Sequence, residues 1–289
     1  MKKILAVIAY KSAYGFIYSV SLLPMRFLYG FSFILYVLAY YVIGYRKLIV
    51  IQNLSRAFPD KKYDEVRDVA KSFYASFTSY FAEIIKSLSV SSNELDGKLI
   101  LVNSELIEEN IQRGKDVIVC LGHCGNWEIL NILPNKLACD MYAVYKPLQS
   151  PIFNRLMIKL RSRFGMKLIQ DQSVTRHILT NKSSHSVYLF LADQCPRIKE
   201  EKYRFDLLNQ TTYHFSGMEK LARITQSAVV YLHIKQISKG RYAIICKSIC
   251  EEAGVTDLGF ITKKFVDLLN ENIQEEPHGW LWSHKRFKK

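Results

Sequence analysis

The eighteen residues from Phe27 to Gly44, FLYGFSFILYVLAYYVIG, carry no charged side chain. Such a run must leave water somewhere, and only two settings accept it: a bilayer or a protein core. At a helical rise of about 1.5 Å per residue it reaches roughly 27 Å, a marginal span of a bilayer core of about 30 Å. Tyr29, Tyr36, Tyr40, Tyr41 and Tyr45 supply rings with a polar tip, which collect where membrane meets water. Around the run, Lys2, Lys3, Lys11, Arg26, Arg46, Lys47 and Arg56 face the single acid Asp60. A cationic surround of this kind attracts anionic headgroups. A cleaved signal peptide fits poorly, because Lys11 interrupts the short apolar run and no small-residue cleavage site follows closely. Residues 1–45 are therefore expected to form an uncleaved membrane anchor. Basic residues lie on both sides of the run, so spanning the bilayer and lying in its interface both stay open.

Beyond Pro59-Asp60 the pattern is that of a soluble domain, residues 46–289. Val66, Val69, Phe73, Phe77, Phe81, Ile84 and Leu88 recur every three or four residues, the period of an amphipathic helix. Short apolar runs at Asp116–Leu121, Met141–Tyr145, Val187–Ala192, Val229–Ile234 and Tyr242–Lys247 read as strands. Helices are expected at Ser104–Arg113, Asn126–Asn135, Pro151–Phe164, Gly217–Thr225 and Thr262–Gln274. Strands separated by helices predict an α/β sheet with its chemistry at strand ends.

Charge and composition narrow the partners. Forty Lys and Arg against 26 Asp and Glu leave +14, which favours an anionic partner: nucleic acid, anionic lipid, or an acidic carrier. Hydrophobic residues at 49% exclude a disordered basic tail. The uncharged anchor serves no purpose in a nucleic-acid protein, and no nucleic-acid motif is present, so none is expected as a partner. Basic residues recur at the far end of the chain, at Lys285, Arg286, Lys288 and Lys289. The six cysteines form no C-x-x-C pair and read as scattered small hydrophobes in a reducing environment. No His sits at ligand spacing beside a cysteine pair, so no metal is expected.

The strongest local feature is Gly122-His123-Cys124-Gly125-Asn126-Trp127-Glu128, which leaves an apolar strand and opens a helix. His is the usual general base near neutral pH, and a carboxylate can fix its tautomer. Five helical residues turn through about 500°, so His123 meets Glu128 only if it sits outside the helix. Gly125 supplies the backbone freedom for that. A helix cap with a buried His is the plain alternative, and an adjacent Cys124–His123 nucleophile pair is the other.

The H-x4-E pattern HCGNWE after a strand resembles the motif of the lysophospholipid acyltransferase superfamily, and within it the late acyltransferases of lipid A biosynthesis. The resemblance continues in order along the chain. Tyr145-Lys146-Pro147, Arg161-Ser162-Arg163-Phe164-Gly165, Leu191-Ala192-Asp193-Gln194 and the ending from Trp280 to Lys288 all match family segments. Asn53-Leu54 and Phe58-Pro59 fit its N-terminal pattern. Cys195-Pro196, Phe215-Ser216-Gly217 and Val230-Tyr231 depart from it, and they bear on the acyl pocket more than on the chemistry.

The resemblance implies a glycerolipid acyltransferase-like α/β fold, a central mixed sheet flanked by helices, behind an N-terminal membrane helix. It implies transfer of a fatty acyl chain from an acyl-carrier-protein thioester to a hydroxyl of a lipid A precursor. A different lipid acceptor, such as a lysophospholipid, an aminolipid or another glycolipid, is the alternative. His123 would be the general base, oriented by Glu128, with no cofactor. Arg161 and Arg163 would bind substrate, and Asp193, at the end of an apolar run, would orient Arg161 or a substrate hydroxyl. Lys146, Asn126 and Arg286 complete the expected substrate-binding set. The implied setting is the cytoplasmic face of a bacterial inner membrane.

Overall fold

A computed structural model describes residues 2–180, 185–196 and 198–287. Lys288 and Lys289 of the basic ending, and the side chains of Lys2 and Lys3, lie outside that description. Four helices lead the chain: α1 (Lys2–Ser21), α2 (Met25–Val37), α3 (Lys47–Ala57) and α4 (Tyr63–Lys86). Between α2 and α3 the helix continues as a wider π turn, Leu38–Val42. There follow α5 (Ser92–Asp96), β1 (Leu99–Val102), α6 (Glu105–Gln112), β2 (Val117–Leu121), a 3-10 segment Trp127–Ile132, α7 (Leu133–Leu137), β3 (Met141–Tyr145) and α8 (Pro151–Arg161). The chain then runs through β4 (Lys167–Gln170), α9 (Val174–Thr180), β5 (Val187–Leu191), β6 (Arg204–Leu207), β7 (Gln210–Tyr213), α10 (Gly217–Thr225), β8 (Ala228–Ser238), β9 (Arg241–Cys250) and α11 (Phe260–Glu275).

Seven strands form one mixed sheet in the order β1-β9-β8-β2-β5-β3-β4, while β6 and β7 pair apart from it. The run β8-β2-β5-β3-β4 is parallel throughout. β9 turns back against β8, through a tight turn at Gly240, whose φ is 73°, and β1 runs parallel to β9. β2 lies at the centre, buried along its whole length. Its alternation splits the core in two. Ile118 and Cys120 join the α3, α10 and α11 side, with Leu54, Leu221 and Phe265. Val117, Val119 and Leu121 join the opposite side, with Ile107, Ile132 and Leu133. A strand covered on both faces reads as a continuous apolar run, and so β2 and β5 stand out in the sequence.

β1, the apolar run Leu99–Val102 that the expected strands leave out, and β4 are the two edges, each half exposed. The single helix expected at Asn126–Asn135 is divided into a 3-10 segment and the short α7. Pro134 falls in the first turn of α7; a helix start tolerates a residue without an N–H, and an unbroken ladder does not.

α2 packs along α4 and reaches it with Tyr29, whose hydroxyl donates to Glu83 Oε1 at 3.1 Å. α1 lies on α8, with Arg155 and Lys159 over the rings of Tyr10 and Tyr14 at 4.3 and 3.8 Å. Only Leu28, Ser32 and Tyr40 are buried within the apolar stretch Met25–Val42. Phe27, Phe31, Phe33, Ile34, Tyr41 and Val42 face outward. By length and composition this stretch suffices to cross a membrane.

Candidate active site

β2 and β5 run side by side in register, Leu121 opposite Leu191. Two residues further along each strand stand His123 and Asp193, level with one another at the carboxyl edge of the sheet. There the imidazole Nδ1 meets Asp193 Oδ1 at 2.5 Å, and the His123 backbone N–H donates to Asp193 Oδ2 at 2.9 Å. Trp280 adds a third donor, its indole N–H reaching Oδ2 at 2.8 Å. Burial works against the charge on Asp193, but the imidazole beside it and these three donors outweigh burial and hold the carboxyl well below its ordinary range. An ionised carboxylate only accepts, so Nδ1 carries the proton of the neutral ring and Nε2 keeps the lone pair. Gln194 lies 3.4 Å from Nε2, and Trp127 meets the ring edge to face at 4.8 Å.

The close approach depends on Gly122: a Cβ there would stand 2.4 Å from Leu269 Cδ1 and 3.4 Å from Asp193 Oδ2. Gly125 is required for a second reason, since its φ of 59° disfavours any side chain. The C-terminal segment staples this loop from outside. Gly125 N–H donates to Gly279 O at 2.9 Å, and Leu281 N–H donates to His123 O at 3.1 Å. Asn53 of α3 holds that segment in turn, donating to the carbonyls of Trp282 and His284.

Glu128 does not orient His123. It is paired with Arg161 at the end of α8, Nε to Oε2 at 2.8 Å and Nη2 to Oε1 at 2.5 Å. The physical reason lies in the reach of the loop. His123 stands before the turn at the sheet edge and Glu128 within the 3-10 segment, where the planar fork of an arginine matches both carboxylate oxygens. The expectation that Asp193 orients Arg161 is corrected by the same observation: the two acids have exchanged partners. Burial lowers the basicity of Arg161, but Glu128 more than reverses this and the guanidinium stays charged.

The remaining expected residues scatter. Arg163 donates to the carbonyl of Ser87 at the end of α4 and lies over the Phe164 ring, away from its neighbour's partner. Lys146 is exposed just past β3, at the same edge of the sheet. Asn126 is buried in the loop and donates to Glu83 Oε2 at 2.9 Å. Arg286 is 1% exposed; its Nη1 and Nη2 donate to Thr212, the Tyr213 carbonyl and His214 Nδ1, and its Nε is buried without a partner among the described residues. It therefore secures the C-terminal segment to β7 and does not offer a free cation to a headgroup. Cys124 is 4% exposed. Burial first, and then the charges of Asp193 and Glu276, push its thiol well above the ordinary range, which removes it as a nucleophile. Glu83 carries no motif in the sequence, and nothing local to Trp280 points to its contact with Asp193.

A cavity of about 410 Å³ opens beside Glu128. Met25, Tyr29, Ile84, Val90, Leu95 and Ile129 supply its apolar lining, and Glu83 and Asn126 share its wall with Glu128. Lys86, Lys98, Lys239 and Arg241 also border it.

The chain is thus a mostly parallel α/β sheet with an imidazole–carboxylate pair at a strand end and a largely apolar cavity at the far end of the same loop, beside Glu128. The chain belongs to the family described as bacterial lipid A biosynthesis acyltransferase, whose sequence profile matches residues 4–289. It is also similar to a lipid A biosynthesis acyltransferase of Haemophilus influenzae, 20% identical over 178 residues. That match spans 62% of this chain and 56% of the relative's length.

Proposed function

We propose that the protein transfers a fatty acyl chain from an acyl-carrier-protein thioester to a hydroxyl of a lipid A precursor. The observation that carries the reading is the His123–Asp193 pair, which leaves imidazole Nε2 directed away from the carboxylate at a strand end. In this mechanism the acceptor hydroxyl gives its proton to His123 Nε2 as its oxygen attacks the thioester carbonyl. Asp193 stabilises the imidazolium that forms. Collapse of the tetrahedral intermediate breaks the carbon–sulfur bond, and the imidazolium returns the proton to the departing thiolate. No covalent enzyme intermediate is needed, because the acceptor is the nucleophile.

Arg161 keeps three N–H donors after its two contacts with Glu128, enough to bind a phosphate or carbonyl oxygen of a substrate. The cavity beside Glu128 has the volume and apolar lining of a small-ligand pocket and is read as space for an acyl chain. The outward rings and aliphatic side chains of α2 support anchoring in a membrane, with the catalytic domain on the cytoplasmic side of a bacterial inner membrane. The cations flanking that helix favour an anionic lipid surface and an acidic carrier.

The test is acyl transfer by purified protein, from acyl carrier protein to a lipid A precursor, before and after His123→Ala. Turnover retained by the variant would remove His123 as the base. Transfer to a lysophospholipid with none to the lipid A precursor would reassign the acceptor.

A further inference from the structure

Glu83 points inward from α4, and three elements donate to its carboxyl group. Tyr29 comes from the apolar helix α2, at 3.1 Å to Oε1. Tyr242 comes from β9, at 2.7 Å to Oε2. Asn126 comes from the loop between His123 and Glu128, at 2.9 Å to the same oxygen. Gly240 completes the packing: a Cβ at that position would stand 2.7 Å from the Tyr29 hydroxyl and 3.8 Å from Glu83 Oε1. A side chain there would push against the Tyr29 hydroxyl, and the φ of 73° disfavours one. Among the described residues the Asn126 side chain has no other hydrogen-bond partner. Its Oδ1 is buried without a hydrogen-bond partner among the described residues, and its backbone, at φ −90° and ψ 83°, lies outside the helix it introduces.

We propose that Glu83 is a positioning residue for the acyl-transfer reaction: through Asn126 it fixes the loop that separates His123 from Glu128, and through Tyr29 it ties that loop to the apolar N-terminal helix. The inference rests on the acyltransferase reading above. A carboxyl that only filled space would cost stability at this depth, since a buried polar group is unfavourable unless its hydrogen bonds are made. Here all three are made, and each comes from a different element. Burial pushes the Glu83 carboxyl above its ordinary range, with the three donors working in the other direction. The group thus sits where small changes in its partners are felt. The unpaired Oδ1 of Asn126 is the atom left over, on a residue that lines the cavity beside Glu128.

The experiment uses the full chain and four variants: Glu83→Leu, Glu83→Gln, Asn126→Ala, and Glu83→Leu with Asn126→Ala. Amide hydrogen exchange over residues 122–132 is read by mass spectrometry, and kcat and KM are read from the transfer assay. Glu83→Leu and Asn126→Ala should each speed exchange in 122–132 by about tenfold or more, the worth of one hydrogen bond to a charged group, and leave β2 and β5 unchanged. Each should lower kcat by a similar factor with KM within about twofold, and the double variant should be no worse than the weaker single. Glu83→Gln, which keeps volume and an acceptor oxygen, should recover most of both. Unchanged exchange in a folded Glu83→Leu protein, or losses that multiply in the double variant, would overturn the proposal. Should Glu83→Leu fail to fold, Asn126→Ala carries the same expectation from the other end of the contact. If the unaltered protein transfers no acyl chain, the acyltransferase reading fails, and the exchange data still decide whether Glu83 holds the loop.

Discussion

The two ends of the loop from His123 to Glu128 each carry a carboxylate paired with a nitrogen side chain, and the pairs are built on opposite lines. At the first, the Asp193 side chain is 4% exposed and every contact made to it is fixed: one imidazole, one backbone amide and one indole. At the second, the Arg161 side chain is 24% exposed and three of its N–H donors remain free of Glu128. The closed pair is suited to holding one proton in one place. The open pair is suited to receiving something from outside. The difference teaches that the H-x4-E pattern joins two devices which the fold holds apart.

That contrast can be broken most sharply at the closed end. Asp193→Asn keeps the shape but favours the wrong tautomer of His123, and kcat should fall by roughly a thousandfold to ten-thousandfold with KM little changed. A variant that instead raised KM would erase the distinction between the ends. Arg161→Lys is the matching change at the open end. It replaces a planar fork by a point charge, so KM should rise by roughly tenfold to a hundredfold and kcat by less should fall, in steady-state assays with varied acceptor.

The support of the closed end is open to a pH test. His214 accepts from Arg286, and burial together with that guanidinium lowers its pKa from 6.5 to about 3. The folded protein therefore binds fewer protons at this site than the unfolded chain between those values. The sign follows: its contribution is complete above pH 6.5 and is lost as pH falls from there towards about 3. Melting temperature measured across that window should decline in the unaltered protein and decline less in His214→Asn, which keeps an acceptor for Arg286. The smallest effect belongs to Cys124→Ala. With the thiol buried and its ionisation suppressed, turnover should stay within about threefold. A larger loss with stability intact would restore a cysteine to the chemistry.

Much of the architecture was legible because burial on both faces leaves an unmistakable trace. β2, β5 and the start of β8 are apolar runs, and α10 occupies its expected residues, Gly217–Thr225. The edge strands β1 and β4 were not legible because each is four residues long, too short for its period to mark it as a strand, and β4 is bounded by Lys167 and Gln170. At the site, His123 and Asp193 were each legible, but their partnership was not. They are seventy residues apart, and only the register of Leu121 against Leu191 brings them level. Spacing along the chain favoured the nearer acid, Glu128, and nothing local announces that Arg161 has already claimed it. Glu83 was hidden for a different reason: it is one of several charged residues on α4, and only the direction of the side chain sets it apart.

The pairing of β2 with β5 also decides when His123 and Asp193 can meet as the chain folds. Between those strands the chain must complete β3, α8, β4 and α9, and parallel strands so separated are slow to meet because a long loop is closed before any contact rewards it. No local fragment holds both the imidazole and its carboxylate. The imidazole and its carboxylate therefore meet only once that non-local pairing has formed.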